Sequence, residues 1–213
     1  MGKEVVYVNE PENKEKFTND FNRFYTGFAK LYDISVRILP FWKRWIKTTI
    51  PHIQGPRVLE VSFGTGYLLK QYVKQYDTYG MDYNEKFVEM LREELTKKGI
   101  SADIRQGDVQ AMPYEDEYFD SIINTMAFSA YPDGMKAMSG MYRVLKTGGK
   151  LIIVDIDYPK NRNWLGKLAT KAWIAMGDIV RDMRPIFERF NFEYQEEEIG
   201  GFGSVHLWIA VKH

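Results

Sequence analysis

No cysteine occurs in the sequence. That removes disulfides, thiolate metal sites, iron–sulfur clusters and a cysteine nucleophile together, and it suits a reducing compartment. Histidine is scarce as well. His52, His206 and His213 form no H-E-x-x-H or other close pair, so no metal site is expected. Nowhere do about 18 apolar residues run together, so no membrane span is expected. The opening residues, MGKEVVYVNEPENKEKF, carry acids throughout and no apolar stretch of the signal-peptide kind. Residue 6 is Val rather than the Ser or Thr of a myristoylation signal. An excess of one charge is also missing, because Lys+Arg and Asp+Glu both number 29. Binding through phosphates calls for a basic excess, so nucleic acid is not an expected partner. The expected location is cytoplasmic, and the sequence says nothing of oligomeric state.

Apolar residues are plentiful. They make up 45% of 213 residues, with 15% aromatic, enough for one large core and no disordered majority. Residues 17–50 are aromatic-rich, with Phe21, Phe24, Tyr25, Phe28 and Tyr32 at helical spacing, and Pro40 and Pro51 divide the region. From Arg57 onward strands and helices alternate. Strands are expected at Arg57–Val61, Thr78–Met81, 102–106, Phe119–Asn124 and Lys150–Asp155. Helices are expected at Tyr67–Tyr76, from an Asn84 cap to Lys98, and at Met135–Leu145. Such alternation, with near-continuous apolar strands, predicts a parallel sheet covered on both faces. Two helical segments between 163 and 189 and two strands, Asn191–Ile199 and Val205–Val211, predict a closing hairpin.

Four features fall at the carboxyl ends of these strands, where open α/β sheets bind ligands. VLEVSFGTG (58–66) ends the first strand in a turn bearing Gly64 and Gly66 before a helix. Asp82 ends the second strand, Gly107-Asp108-Val109 follows the third, and Asn124 ends the fourth. Taken singly, each has a plainer reading: a tight turn, a helix cap or a turn acid. The nicotinamide fingerprint G-x-G-x-x-G fails in both registers, at Leu69 or at Ser62 and Tyr67, and no Gly-Lys-Ser/Thr follows for a P-loop.

VLEVSFGTG (58–66), YGMDYNEKFVEML (79–91), GDVQAMPYEDEYFDSIINT (107–125) and YRVLKTGGKLIIVD (142–155) together resemble the class I S-adenosylmethionine-dependent methyltransferases. The small-molecule branch that includes quinone and related lipid C-methyltransferases looks nearest. The resemblance is strong over residues 55–157 and follows the order of elements along the whole chain. It implies an α/β, Rossmann-like, doubly wound sheet of seven strands, mostly parallel with a C-terminal antiparallel hairpin and helices on both faces. In a single domain spanning 1–213, residues 1–54 would form a helical lid or cap and 55–157 the cofactor-binding core. Residues 158–213 would form a substrate-side helical insert and the closing hairpin.

The resemblance also implies roles. Glu60 would orient the methionine ammonium of S-adenosylmethionine. The turn Ser62, Phe63, Gly64, Thr65 and Gly66 would approach the methionine and ribose. Asp82 would hold the ribose hydroxyls with Tyr83 beside the adenine. Asp108 and the Val109 N–H would meet the adenine, and the backbone at Asn124 the methionine end. The family usually has Gly at position 62. Ser62 costs on the order of 1 kcal/mol or more if the backbone there has positive φ, and fits if only smallness is needed.

Transfer of a methyl from a sulfonium is an in-line displacement with a good leaving group, so alignment and exclusion of water supply most of the catalysis. No catalytic residue is therefore legible; His206 is the best-placed base, with a core histidine as the plainer reading. Tyr25, Tyr32, Met126, Tyr131 and Trp164 are expected at a small, apolar or aromatic acceptor, with packing as the alternative for the aromatics. The prolines and aromatic residue that base and amide methyltransferases carry after Asn124 are absent. NWLGKLATKAWIAM (163–176) allows at most a peripheral membrane contact, and its other reading is helix-to-sheet packing. A non-catalytic cofactor-binding relative acting through protein contacts, and a nucleotide-linked oxidoreductase, are the alternative functions.

Overall fold

A computed structural model describes residues 11–20 and 40–213. Seven strands form one sheet: β1 (Arg57–Val61), β2 (Asp77–Asp82), β3 (Asp103–Gln106), β4 (Phe119–Thr125), β5 (Leu145–Ile156), β6 (Phe192–Gly200) and β7 (Val205–Lys212). Their order is β3-β2-β1-β4-β5-β7-β6. The first five strands run parallel, and β7 is antiparallel to both β5 and β6. The expected doubly wound sheet with a closing hairpin is what the chain builds.

The inner strands are apolar because both faces are covered. Leu59, Ile122 and Ile153 face one side, against Met138 and Met141 of the helix Gly134–Val144 and Phe187 of the helix Met183–Arg189. Val58, Ile123 and Ile152 face the other, against Tyr72, Phe87, Leu91 and Leu95. The helix Glu85–Lys97 starts where expected, since Asn84 Oδ1 accepts from the N–H groups of Lys86 and Phe87. Its charged pairs, Glu93–Lys97 and Glu94–Lys98, lie outward as periodicity requires.

Two elements differ from expectation. The helix expected over Tyr67–Tyr76 is regular only at Leu69–Tyr72. The chain must return to the sheet at once, where the Asp77 N–H donates to Pro56 O at 2.9 Å, so no further turn fits. Leu68, Leu69, Tyr72 and Val73 are nevertheless buried as their spacing demanded. Strand β5 begins at Leu145, five residues early, because Leu145 already pairs with Phe119 and the Gly148-Gly149 turn is absorbed as an irregularity before Lys150 meets Ser121.

The N-terminal region is helical at residues 14–20 and Pro40–Lys47, with a short turn of 3₁₀ helix at Ile50–His52. Tyr25 and Tyr32, expected at an acceptor site, lie outside the described residues.

One packing contact fixes the site from below. Gly140, in the middle of Gly134–Val144, lies so close to the Val109 carbonyl oxygen that a Cβ has no room. In an open helix Gly→Ala gains about 1 kcal/mol. Here Gly140→Ala is expected to cost about 1–3 kcal/mol by overpacking. Thermal unfolding should show a fall of roughly 2–4 °C per kcal/mol.

Candidate functional site at the switch point of the sheet

After β3 the chain crosses back over the sheet to place β4 beside β1, so the order reverses between β1 and β4. Loops diverge there at the carboxyl ends and leave a crevice. A cavity opens at this point. Its walls are the turn after β1 (Ser62 to Thr65), the ends of β2 and β3 (Asp82, Tyr83, Asp108, Val109) and the loop after β4 (Thr125 to Ala127, with Tyr131). Glu60 lies at its base.

Asp82 organises the turn. Its Oδ2 accepts from the Gly64 N–H and its Oδ1 from the Asn84 N–H, both at 2.8 Å. Burial raises its pKa to about 6, with the Asn84 and Gly64 bonds opposing. Glu60 is buried and accepts from the Tyr72 hydroxyl at 2.7 Å. Burial pushes its carboxyl up to about 8, the Tyr72 bond pulls the other way, and Asp82 adds a further upward push. At neutral pH the protein alone thus favours a neutral Glu60. A cation placed in the cavity would recover the carboxylate.

Ser62 has φ of 55°, the left-handed region that L-residues seldom occupy. The strain expected of Ser at this place therefore applies. Its hydroxyl is 2.7 Å from the Tyr131 hydroxyl, which accepts at 2.8 Å from Asn124 Nδ2. Because Asn124 is the donor, one hydroxyl of the Ser62–Tyr131 pair must donate to the other, and a single O–H hydrogen is left over for a ligand. Burial raises the Tyr131 pKa, so at neutral pH this phenol keeps its proton and does not act as a base.

Most of the expected cofactor residues line the cavity: Glu60, Ser62, Phe63, Gly64, Thr65, Asp82, Tyr83, Asp108 and Val109. Gly66 and Asn124 do not. Gly66, with φ of 66°, sits against Leu91 and serves the packing of Glu85–Lys97. Asn124 is fully buried behind the wall and acts through Tyr131. The Asp108 side chain caps the turn Val109–Ala111, accepting from the Gln110 N–H at 2.8 Å.

Among expected acceptor residues, Met126 and Tyr131 reach the cavity, whereas Trp164 and His206 do not. Trp164 stands in solvent on the helix Trp164–Ala175. His206 is buried in β7, with Nδ1 2.7 Å from a Glu196 carboxylate oxygen and Nε2 2.9 Å from Gly203 O. Both ring nitrogens are engaged away from the cavity, so His206 is a structural residue and no base for this site.

Trp42 and Ile46, one helical turn apart on Pro40–Lys47, line the cavity and were not anticipated. Their i,i+4 spacing puts both on one side of the helix, but nothing local in the sequence shows that this side meets the cavity. Lys43 and Lys47 lie over the Tyr67 ring at 5.2 and 5.5 Å.

Residues 59–153 match the family model described as a methyltransferase domain. A ubiquinone/menaquinone biosynthesis C-methyltransferase UbiE of Serratia proteamaculans (strain 568) is 31% identical over 147 residues, and that of Yersinia pestis 32%. Each alignment covers 64% of this chain and 58% of the relative, so the chain spans little more than half the length of these relatives. Among solved structures, a possible histamine N-methyltransferase of Thermotoga maritima superposes with TM-score 0.69 at 18% identity, over 90% of this chain and 99% of its own. A geranyl diphosphate C-methyltransferase of Streptomyces coelicolor A3(2) superposes with TM-score 0.68 at 11% identity, over 79% and 76%. The fold is that of the class I methyltransferases, and the resemblance to the quinone C-methyltransferases is borne out.

Strain and hydrogen bond at Ser62 can be separated. Ser62→Ala keeps the strained backbone and loses the bond, while Ser62→Gly loses the bond and relieves the strain. The glycine variant is expected to be the more stable of the two by about 1 kcal/mol, read from urea unfolding midpoints.

Proposed function

We propose that the chain is an S-adenosylmethionine-dependent methyltransferase that transfers the methyl group to a small apolar or aromatic acceptor. The observation that carries this reading is the row of acids Glu60, Asp82 and Asp108 at the carboxyl ends of three adjacent strands, β1, β2 and β3, all lining one cavity. Neighbouring strands lie about 4.8 Å apart, so the row extends over roughly 10 Å and suits an elongated ligand. Glu60 would take the ammonium, Asp82 the ribose hydroxyls and Asp108 the adenine amino group, with Tyr83 against the ring. The spare O–H hydrogen of the Ser62–Tyr131 pair and the open space at Gly64 fit the amino-acid end of the same ligand.

When bound, the cofactor would supply an electrophilic methyl group, with a neutral thioether as the leaving group. The protein's share is alignment. Trp42, Ile46, Met126 and Tyr131 offer an apolar wall for the acceptor and keep water out. Positioning of this kind supplies roughly 7–11 kcal/mol, and the proton that a neutral acceptor gives up on methylation would pass to solvent. The acceptor we infer is a lipid-like quinone or phenol ring, supported by the apolar wall and by the curated relatives' activity. Residues 1–54 would complete the cap, since Trp42 and Ile46 belong to that segment. The cysteine-free composition supports a cytoplasmic setting.

Thermal unfolding with S-adenosylmethionine, S-adenosylhomocysteine and NAD tests the reading. The first two at 100 times their dissociation constants should raise the midpoint by about 5–10 °C, and NAD should not. Stabilisation by NAD alone would favour the oxidoreductase reading instead.

The Glu60 carboxyl gives a second test. Its folded pKa, about 8, lies above the ordinary 4.5. The stability it contributes is full below the ordinary value and is lost as pH rises through about 8. Asp82, raised to about 6, acts in the same direction over a lower window. The ligand-free protein should therefore lose stability as pH rises across this range, and Glu60→Gln should flatten the loss. Binding of the cationic cofactor at neutral pH should release a proton from Glu60. Calorimetry in buffers of different ionisation enthalpy reads that proton, and its absence would remove Glu60 from the ammonium site.

A further inference from the structure

The helix Trp164–Ala175 turns much of its apolar surface to solvent. Its inward face carries Gly166 and Thr170, whose hydroxyl donates to Asp157 O at 2.8 Å and which are the buried residues of the helix. Gly166 lies too close to the Phe202 carbonyl for any side chain. The solvent face carries Trp164 (71% exposed), Leu165, Leu168, Ala172, Ala175 and, at the helix end, Met176 (63% exposed). These positions fall within one continuous arc at 100° per residue. Beside the start of the helix, Asn163 Nδ2 donates to the Phe202 carbonyl at 2.9 Å. Phe202 itself has φ of 57° and a ring 67% exposed. A bulky residue held in the left-handed region with its ring in water is costly twice over, and such strain persists where the position serves a contact.

Charge says which contact. The chain as a whole is neutral, yet the helix Trp164–Ala175 carries Lys167 and Lys171 and no Asp or Glu. Lys167 and Lys171 flank one edge of the apolar arc, from which their long stems can lie along the apolar surface with the ammonium groups at its rim. Aromatic and aliphatic side chains on one face with cations at its border is the pattern of a helix lying in the plane of an anionic membrane surface. Among the described residues no helix is long and apolar enough to cross a membrane, so the contact would be peripheral.

We propose that Trp164, Leu165, Leu168, Met176 and Phe202, bordered by Lys167 and Lys171, form a docking surface for an anionic lipid bilayer. The helix that bears the surface touches a wall of the cavity through its other side. Trp173 of the same helix packs on Trp42, ring centroids 6.0 Å apart, and Trp42 lines the cavity. Docking there would bring the cavity wall at Trp42, to which an acceptor dissolved in lipid would be delivered, near the membrane. This delivery rests on the methyltransferase reading, whereas the docking does not.

Flotation of the full chain with vesicles tests the docking by itself. The protein is expected to float with phosphatidylcholine vesicles containing phosphatidylglycerol and to stay behind with phosphatidylcholine alone. The paired change Trp164→Glu and Leu168→Glu should weaken binding roughly tenfold or more. The thermal midpoint and the affinity for S-adenosylhomocysteine should be unaltered by that change, which separates lost docking from lost folding. Lys167→Glu with Lys171→Glu should remove the preference for the anionic vesicles. A wild-type chain that stays in solution with both vesicle types overturns the proposal, as does equal flotation of the Trp164/Leu168 variant. A wild-type dimer that this variant converts to monomer, with no lipid binding, would assign the surface to a second copy of the chain. Loss of cofactor binding in the wild type with flotation intact would overturn the methyltransferase reading and leave the docking standing.

Discussion

The Asp82 carboxylate is the interaction on which the site depends. One oxygen holds the turn after β1 and the other holds the N–H of Asn84, the cap of the helix Glu85–Lys97. Two loops from adjacent strands are thereby tied at the place where the sheet reverses its order. A buried carboxylate is expensive unless bonded, and here two backbone N–H groups share that cost. The same group is left at the rim of the cavity with lone pairs to offer. Tying the turn and meeting a ligand are therefore compatible uses of one side chain.

Ser62 shows a different balance. Its positive φ stores strain, and its hydroxyl enters a chain with Tyr131 and Asn124 that reaches back to the end of β4. The turn after β1 is thus joined on one side to β2 through Asp82 and on the other to β4 through Tyr131. A glycine would leave the second link out. The cavity owes its form to these two ties as much as to the apolar wall provided by Trp42 and Ile46.

Much of the fold was legible. The strand–helix alternation, the Asn84 cap and the final hairpin all came from periodicity and turn residues, which act over a few neighbours along the chain. Asp82 and Asp108 were legible for the same reason, since each lies at the carboxyl end of a recognisable strand, whereas Glu60, inside β1, came only with the family resemblance. Legibility failed where the cause lay far along the chain. The short helix at Leu69–Tyr72 was cut by the need to rejoin Pro56, and β5 was lengthened by pairing with Phe119. His206 looked available in sequence but is closed off by Glu196 and Gly203 O. Nothing adjacent to Gly66 or Gly140 indicates that Leu91 and the Val109 carbonyl fill the space a side chain would take.

By itself the sequence determined the order of elements, which faces of the strands and of Glu85–Lys97 are buried, and that Asp82 and Asp108 stand at the ligand-binding edge. Those properties follow from spacings of two and of 3.6 residues, which are local. Tertiary structure decided the protonation preference of Glu60, the hydrogen-bond partner of Ser62 and the outward turn of the helix Trp164–Ala175. Each depends on what lies opposite in space: the burial of the Glu60 carboxyl, a hydroxyl arriving from 69 residues away, and a Phe202 carbonyl that admits only glycine. An apolar periodicity states that a helix has two unlike faces, and only the packed neighbour selects which of them meets water.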